Sequence, residues 1–247
     1  MNIEDRLLTI NEYSRSGEKQ GTIKNIVGHW VGNANSSSIA NRNYFEKLKD
    51  SHKTYASSHY VIGLNGEIIK CIPEDEVAFH SGSYSMNRKS IGIETCHPDW
   101  EGKFAESTYN SLVELCADIC RRDGLTVNDI IRHYDVTEKE CPRYYVRNES
   151  EWFKFKNDVA NKIGQATTNV VVAEVKGSDE PVRKYKNGST KETIYADTNL
   201  TKVIGSLSPY EECDCFGIFN NRPMVRYKID GSNNYKIGFA KWTGGVK

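Results

Sequence analysis

Residues 24–31 read KNIVGHWV, an apolar, β-rich run that carries a histidine inside it, and residues 32–38, GNANSSS, break the run at once. A strand followed by a loop is the natural reading of such a pattern. Working outward, residues 39–48 repeat apolar positions at helical intervals through Ile39, Tyr44, Phe45 and Leu48, behind serines suited to cap a helix. Residues 58–72, SHYVIGLNGEIIKCI, form two β-rich runs around Leu64-Asn65-Gly66, and Asn-Gly is a strong hairpin signal. SIGIETC (90–96) alternates as a further strand, and 106–122 carries the clearest helical stripe, ending before Gly124. A strand over 130–136 and a helix over 152–163 complete the pattern. Strands alternating with helices predict a mixed α/β unit, a central β-sheet flanked by helices.

The patterning weakens between Gly164 and Gly177, and after Pro181 short β-type runs are separated by Asn-Gly, Ser-Pro and Asp-Gly-Ser turns. The expected organisation is a first domain over 1–165, a linker over 166–180 and a small all-β barrel over 181–247. The 247 residues carry 33 Lys and Arg against 33 Asp and Glu, with 12 against 9 from Val170 onward. Without a basic stripe interleaved with aromatics, nucleic acid is excluded as a partner. No segment approaches the ~18 apolar residues of a membrane span, and the polar start MNIEDRLLTINEYSRSGEKQ does not read as a signal peptide. Membrane insertion is therefore not expected. The seven cysteines are odd in number and lack framework spacing, which suits reduced thiols in a cytosolic chain. Cys116 and Cys120 fall on an apolar helical stripe and read as core, as do Cys213 and Cys215 on one face of a strand.

Three metal-capable side chains stand where strands are read to end: His29, His133 within the 130–136 strand, and Cys141 eight residues further on. Two histidines and a thiolate are three ligands, the count of a catalytic zinc site whose fourth position is left for water. Taken alone the triple does not decide the matter, because a single histidine on a strand is more often structural. On the 90–96 strand Ile91 and Ile93 face one side while Gly92 and Glu94 face the other, so Glu94 leaves the apolar face. A carboxylate beside a metal can move a water proton.

The ordered motifs IVGHWVGN, SSHYVIGLNGEII, VAFHSG, SIGIETC and IIRHYDVTEKECP, spread over residues 23–145, resemble the zinc amidases that include phage endolysins and bacterial N-acetylmuramoyl-L-alanine amidases. The resemblance implies Zn²⁺ bound by His29, His133 and Cys141, with Glu94 as general base. It also implies Lys139 as the cation at the developing oxyanion and His80 as a substrate contact in the groove. Cys141, where some relatives carry Asp or His, is the phage-type choice. Ser58 departs from relatives with a tyrosine there. His59 is expected to pack beneath the site, His97 to follow the catalytic strand without chemistry, and His52 to end a helix. From about Val182 the chain is similar to bacterial SH3-type domains that bind cell walls, with Tyr195, Tyr210, Phe216, Tyr227, Tyr235 and Trp242 as core or contact aromatics.

The implied activity is hydrolysis of the amide between N-acetylmuramic acid and L-alanine in the peptidoglycan of a Gram-positive host. The implied location is the host cytoplasm until release through a holin, then the wall. A recognition module without catalysis and a stem-peptide endopeptidase are the alternatives.

Overall fold

The computed structural model describes residues 1–164, 183–196, 200, 202–219, 222–228, 235–242 and 244–246. They fall into two units, Met1–Ile163 and Gly164–Lys247. In chain order the first unit contains β1 (Ile3–Asp5), β2 (Asn25–Trp30), α1 (Ser38–Ser51), β3 (Tyr60–Ile62), β4 (Ile68–Lys70) and α2 (Tyr84–Asn87). It continues with β5 (Ser90–Thr95), α3 (Glu106–Asp123), β6 (Ile130–Arg132), α4 (Tyr134–Thr137), α5 (Arg143–Arg147) and α6 (Glu149–Ile163). The six strands form one mixed sheet in the order β1-β4-β3-β5-β2-β6. Strands β3, β5, β2 and β6 run parallel, and β4 returns antiparallel to β3.

Alternation along the strands sorts the side chains into two layers. Ile26, Ile91 and Ile93 face a core closed by Leu112, Leu115, Cys116 and Ile119 of α3 and by Trp152, Phe155 and Val159 of α6. Each such aliphatic or aromatic side chain contributes roughly 1.5–3 kcal/mol on full burial. Val61 and Ile69 face the opposite layer, where Phe45 and Leu48 of α1 cover them. Helix α1 starts at Ser37, whose hydroxyl accepts the Ala40 N–H, and α3 ends at Gly124 with φ +67°. The hairpin loop is Leu64-Asn65-Gly66: Gly63 N–H donates to Glu67 O, Gly66 N–H donates to Gly63 O, and Gly66 has φ +83°. This is a turn closed by a left-handed glycine, as the sequence implied.

Two expectations change. The strand read over 130–136 stops at Arg132, and His133 is the residue that caps α4 rather than part of a strand. The cause is Asp135, whose carboxylate reaches back to accept the Arg132 N–H at 2.8 Å and its guanidinium at 2.9 Å, so the chain turns into a helix. Strand β1 had no counterpart in the sequence reading. Its Ile-Glu-Asp has one apolar residue, and it is held at the sheet edge by parallel pairing with β4.

The second unit contains β7 (Arg183–Lys186), β8 (Glu192–Tyr195), β9 (Val203–Leu207), β10 (Glu212–Phe219), β11 (Arg222–Lys228), β12 (Tyr235–Ala240) and β13 (Gly245–Val246). These form one antiparallel sheet in the order β13-β7-β10-β11-β12-β8-β9. Its core gathers Tyr185, Ile194, Leu207, Cys213, Cys215, Val225 and Tyr227. Cys213 and Cys215 thus face inward together, Phe216 and Tyr227 are buried, and Tyr210 is exposed. All seven cysteines are buried and unbridged. The linker expected over 166–180 lies outside the described residues.

Candidate functional site

The sheet brings the site together at the carboxyl ends of its parallel strands, the usual place for a ligand in an open α/β sheet. His29 on β2 is in register with Glu94 on β5, one strand away. On the other side of β2, Gly28 is in register with Arg132, and the His133 N–H donates to Gly28 O at 3.1 Å. His29, Glu94 and His133 therefore stand at one level on neighbouring backbones. Cys141 arrives from the loop after α4, which turns back because Glu138 adopts φ +62° and the Tyr134 N–H donates to Cys141 O at 3.0 Å. Lys139 lies on that loop, exposed.

His29, His133 and Cys141 are all buried, and one donor atom from each lies within 4.8 Å of the others. The two Nδ1 atoms are 3.0 Å apart, and Cys141 Sγ is 3.8 Å from His29 Nδ1. Around a tetrahedral zinc with bonds of ~2.05 Å to nitrogen and ~2.3 Å to sulfur, donors stand roughly 3.3 and 3.6 Å apart. The set could hold such an ion with small adjustments, and its donor chemistry suits it.

The electrostatics match this reading. Burial, helped by the neighbouring histidines, pushes the His29 pKa well below its ordinary value, and burial lowers that of His133 to about 4. Both imidazoles are thus neutral and able to ligate. Burial, with Glu94 adding to it, pushes the Cys141 thiol up to about 12. A metal ion would have to displace that proton. Burial also raises Glu94 from 4.5 to about 8, against the opposing pull of the Lys139 ammonium. Its Oε2 is buried and has no hydrogen-bond partner, an orphan that a fold does not keep without reason. Glu140 pairs with Arg143 and Arg147, and among the described residues Lys139 makes no salt bridge.

The three donors, Glu94 and Lys139 line one cleft of ≈ 820 Å³. Trp30, Tyr55, Phe79 and Tyr84 give it flat walls. The Arg143 guanidinium sits 4.6 Å over the Trp30 ring, which also stacks against His97. None of these wall residues stood out in the sequence, since an isolated aromatic carries no sign of the cavity it faces.

His80 also reaches the cleft, but it is 8% exposed and its Nδ1 lies 3.0 Å from His29 Nε2. His59 is buried beneath the site, with Nδ1 accepting the Gly92 N–H and Nε2 donating to Glu76 O. His97 sits with its ring nitrogens on Val31 O and Asp99 O, and His52 ends α1 in the left-handed region. Ser58 is fully buried and donates its hydroxyl to Tyr60 O at 2.9 Å, so nothing at that position serves the site.

Residues 19–144 match the family described as N-acetylmuramoyl-L-alanine amidase. That span contains His29, Glu94, His133, Lys139 and Cys141. A Bacillus licheniformis protein named N-acetylmuramoyl-L-alanine amidase CwlL is 32% identical over 82% of this chain and 61% of its own length. A second from Bacillus licheniformis, named as a probable N-acetylmuramoyl-L-alanine amidase, is 34% identical over 68% of this chain and 50% of its own. The chain therefore spans between half and about three-fifths of these relatives. A solved structure described as a mutant endolysin from Bacillus subtilis superposes with a TM-score of 0.55 at 26% identity, covering 66% of this chain and 99% of the other. With the matched segment carrying the whole constellation on the sheet that positions it, the chain belongs to the N-acetylmuramoyl-L-alanine amidase family.

Proposed function

We propose that this chain is a zinc-dependent peptidoglycan hydrolase, an endolysin that cleaves the amide between N-acetylmuramic acid and L-alanine. The observation that carries the reading is the convergence of His29, His133 and Cys141 within 4.8 Å in a cleft that Glu94 and Lys139 also line. Three protein ligands leave a fourth position open, as catalytic rather than structural zinc sites do. Bound there, zinc supplies a Lewis acid that acidifies water and polarises a carbonyl oxygen.

The chain's own residues do the rest. Glu94 takes the proton of the attacking water on its carboxylate and returns it to the nitrogen of the departing L-alanine amine. A carboxyl buried at strand register with His29, its pKa raised by burial, suits both halves of that transfer. Lys139, free of a salt bridge among the described residues, stabilises negative charge as it develops on the scissile carbonyl oxygen. The flat faces of Trp30, Tyr55 and Tyr84 hold glycan and stem peptide in the cleft.

The second unit is read as an SH3-type barrel that binds the wall, a reading supported by its short antiparallel strands around one aromatic and aliphatic core. The Bacillus relatives support a Gram-positive wall as the substrate. Sequencing the amino termini on digested walls tests the activity. New L-alanine termini without new sugar reducing ends are expected, whereas termini within the stem peptide alone would make the chain an endopeptidase.

A further inference from the structure

A histidine ligates a metal well only when its ring is held in one tautomer, and the nitrogen that does not touch the metal does the holding. In His29 that nitrogen is Nε2, because Nδ1 faces His133 and Cys141. His29 Nε2 lies 3.0 Å from His80 Nδ1, and His80 Nε2 lies 3.3 Å from Ser90 Oγ. Ser90 Oγ lies 2.7 Å from the carbonyl oxygen of Met86. His80 and Ser90 are both buried.

We infer that His80 and Ser90 are positioning residues, forming with Met86 a one-way hydrogen-bond relay that keeps the His29 Nδ1 lone pair free and turned to the position it would share with His133 and Cys141 around a metal. The inference rests on the zinc reading for its purpose, but its direction follows from the far end alone. A carbonyl oxygen only accepts, so the single Ser90 proton goes to Met86. Ser90 Oγ is then the acceptor for His80 Nε2–H. A neutral His80 protonated on Nε2 has an accepting Nδ1, so His29 must donate from Nε2. A neutral His29 protonated there has a bare Nδ1, the atom that faces His133 and Cys141.

The surroundings fix the relay in place. Asn87 Oδ1 accepts the N–H groups of His80 and Ser81 at 3.3 and 2.9 Å and the Ser81 hydroxyl at 2.7 Å, which locks the backbone on either side of the ring. Gly92 on β5 leaves room for it, since a Cβ there would stand 2.4 Å from His80 Cγ. With both ring nitrogens engaged, His80 has no polar atom left for substrate, and the role it was expected to play in the groove passes to the cleft's other walls.

The test uses the full chain. Nitrogen-15 spectra of the imidazole rings, with and without zinc, should show His80 protonated on Nε2 and not on Nδ1. Zinc affinity, read by competition with a chromogenic chelator, should fall roughly 10- to 100-fold in His80→Leu. His80→Asn, whose amide oxygen replaces the Nδ1 acceptor, should recover most of that loss, and Ser90→Ala should show a smaller loss in the same direction. The thermal midpoint of each metal-free variant separates weakened binding from failed folding. A proton on His80 Nδ1, or His80→Leu binding zinc as tightly as the unsubstituted chain, would overturn the relay. An unsubstituted chain that takes up no zinc would overturn the metal reading, while the ring spectra still decide the relay.

Discussion

Replacing Glu94 by glutamine should stabilise the metal-free protein, and by an amount that grows with pH. Burial raises the Glu94 carboxyl from 4.5 to about 8, and its Oε2 has no partner to stabilise a charge. Below the unfolded value the carboxyl is neutral in both states and folding carries no penalty. As pH rises through the window from 4.5 to about 8, the unfolded chain releases the proton while the folded chain retains it, and stability falls; above about 8 the loss levels off. Linkage puts the penalty at about 1 kcal/mol at pH 5, about 3 kcal/mol at pH 7 and about 4 kcal/mol at pH 8. Glutamine keeps the shape of the side chain without titrating, so the stability gap between variant and parent should widen by about 3 kcal/mol from pH 5 to pH 8. Denaturant unfolding followed by tryptophan fluorescence in the presence of a chelator reads this, since Trp30, Trp100 and Trp152 all lie in the first unit. Saturating zinc should shrink the gap, because a dication nearby favours the ionised carboxylate. A gap that stays constant with pH would refute the buried, unpaired carboxyl and its poise as a general base.

Cys141→Ser keeps the size of the ligand but exchanges a soft thiolate for a hydroxyl. Zinc content after dialysis should fall at least about tenfold with the fold retained, and full retention would remove Cys141 from the ligand set. Lys139→Ala alters an exposed side chain, so stability should move by less than about 0.5 kcal/mol while kcat on purified wall drops by about 10²-fold at unchanged zinc content. Wall release within a factor of a few of the parent would end its role at the oxyanion. Gly92→Ala places a methyl 2.4 Å from His80 Cγ and should cost about 1–3 kcal/mol in denaturant unfolding, with weaker zinc retention; an unaltered midpoint would mean the ring moves aside freely.

The amino-acid pattern alone marked most elements of the first unit in their order. β-rich apolar runs marked β2, β3 and β4, an alternating run marked β5, the helical stripe marked α3, and Asn65-Gly66 marked the hairpin, because each depends on neighbours within a few residues. Ordered motifs likewise singled out His29, Glu94, Lys139, His133 and Cys141, which the fold gathers around one cleft. What the sequence could not supply were relations across the chain. The edge strand β1 exists only because β4 lies beside it, and the strand read through His133 ends early because Asp135 turns back onto Arg132. His80 was expected in the groove from its motif; it lines the cleft, and folding also sets its ring between His29 and Ser90, 51 and 10 residues away. Local propensity fixes which segments are strands and helices, but the partners of each side-chain nitrogen are chosen only when the sheet closes and brings them within reach.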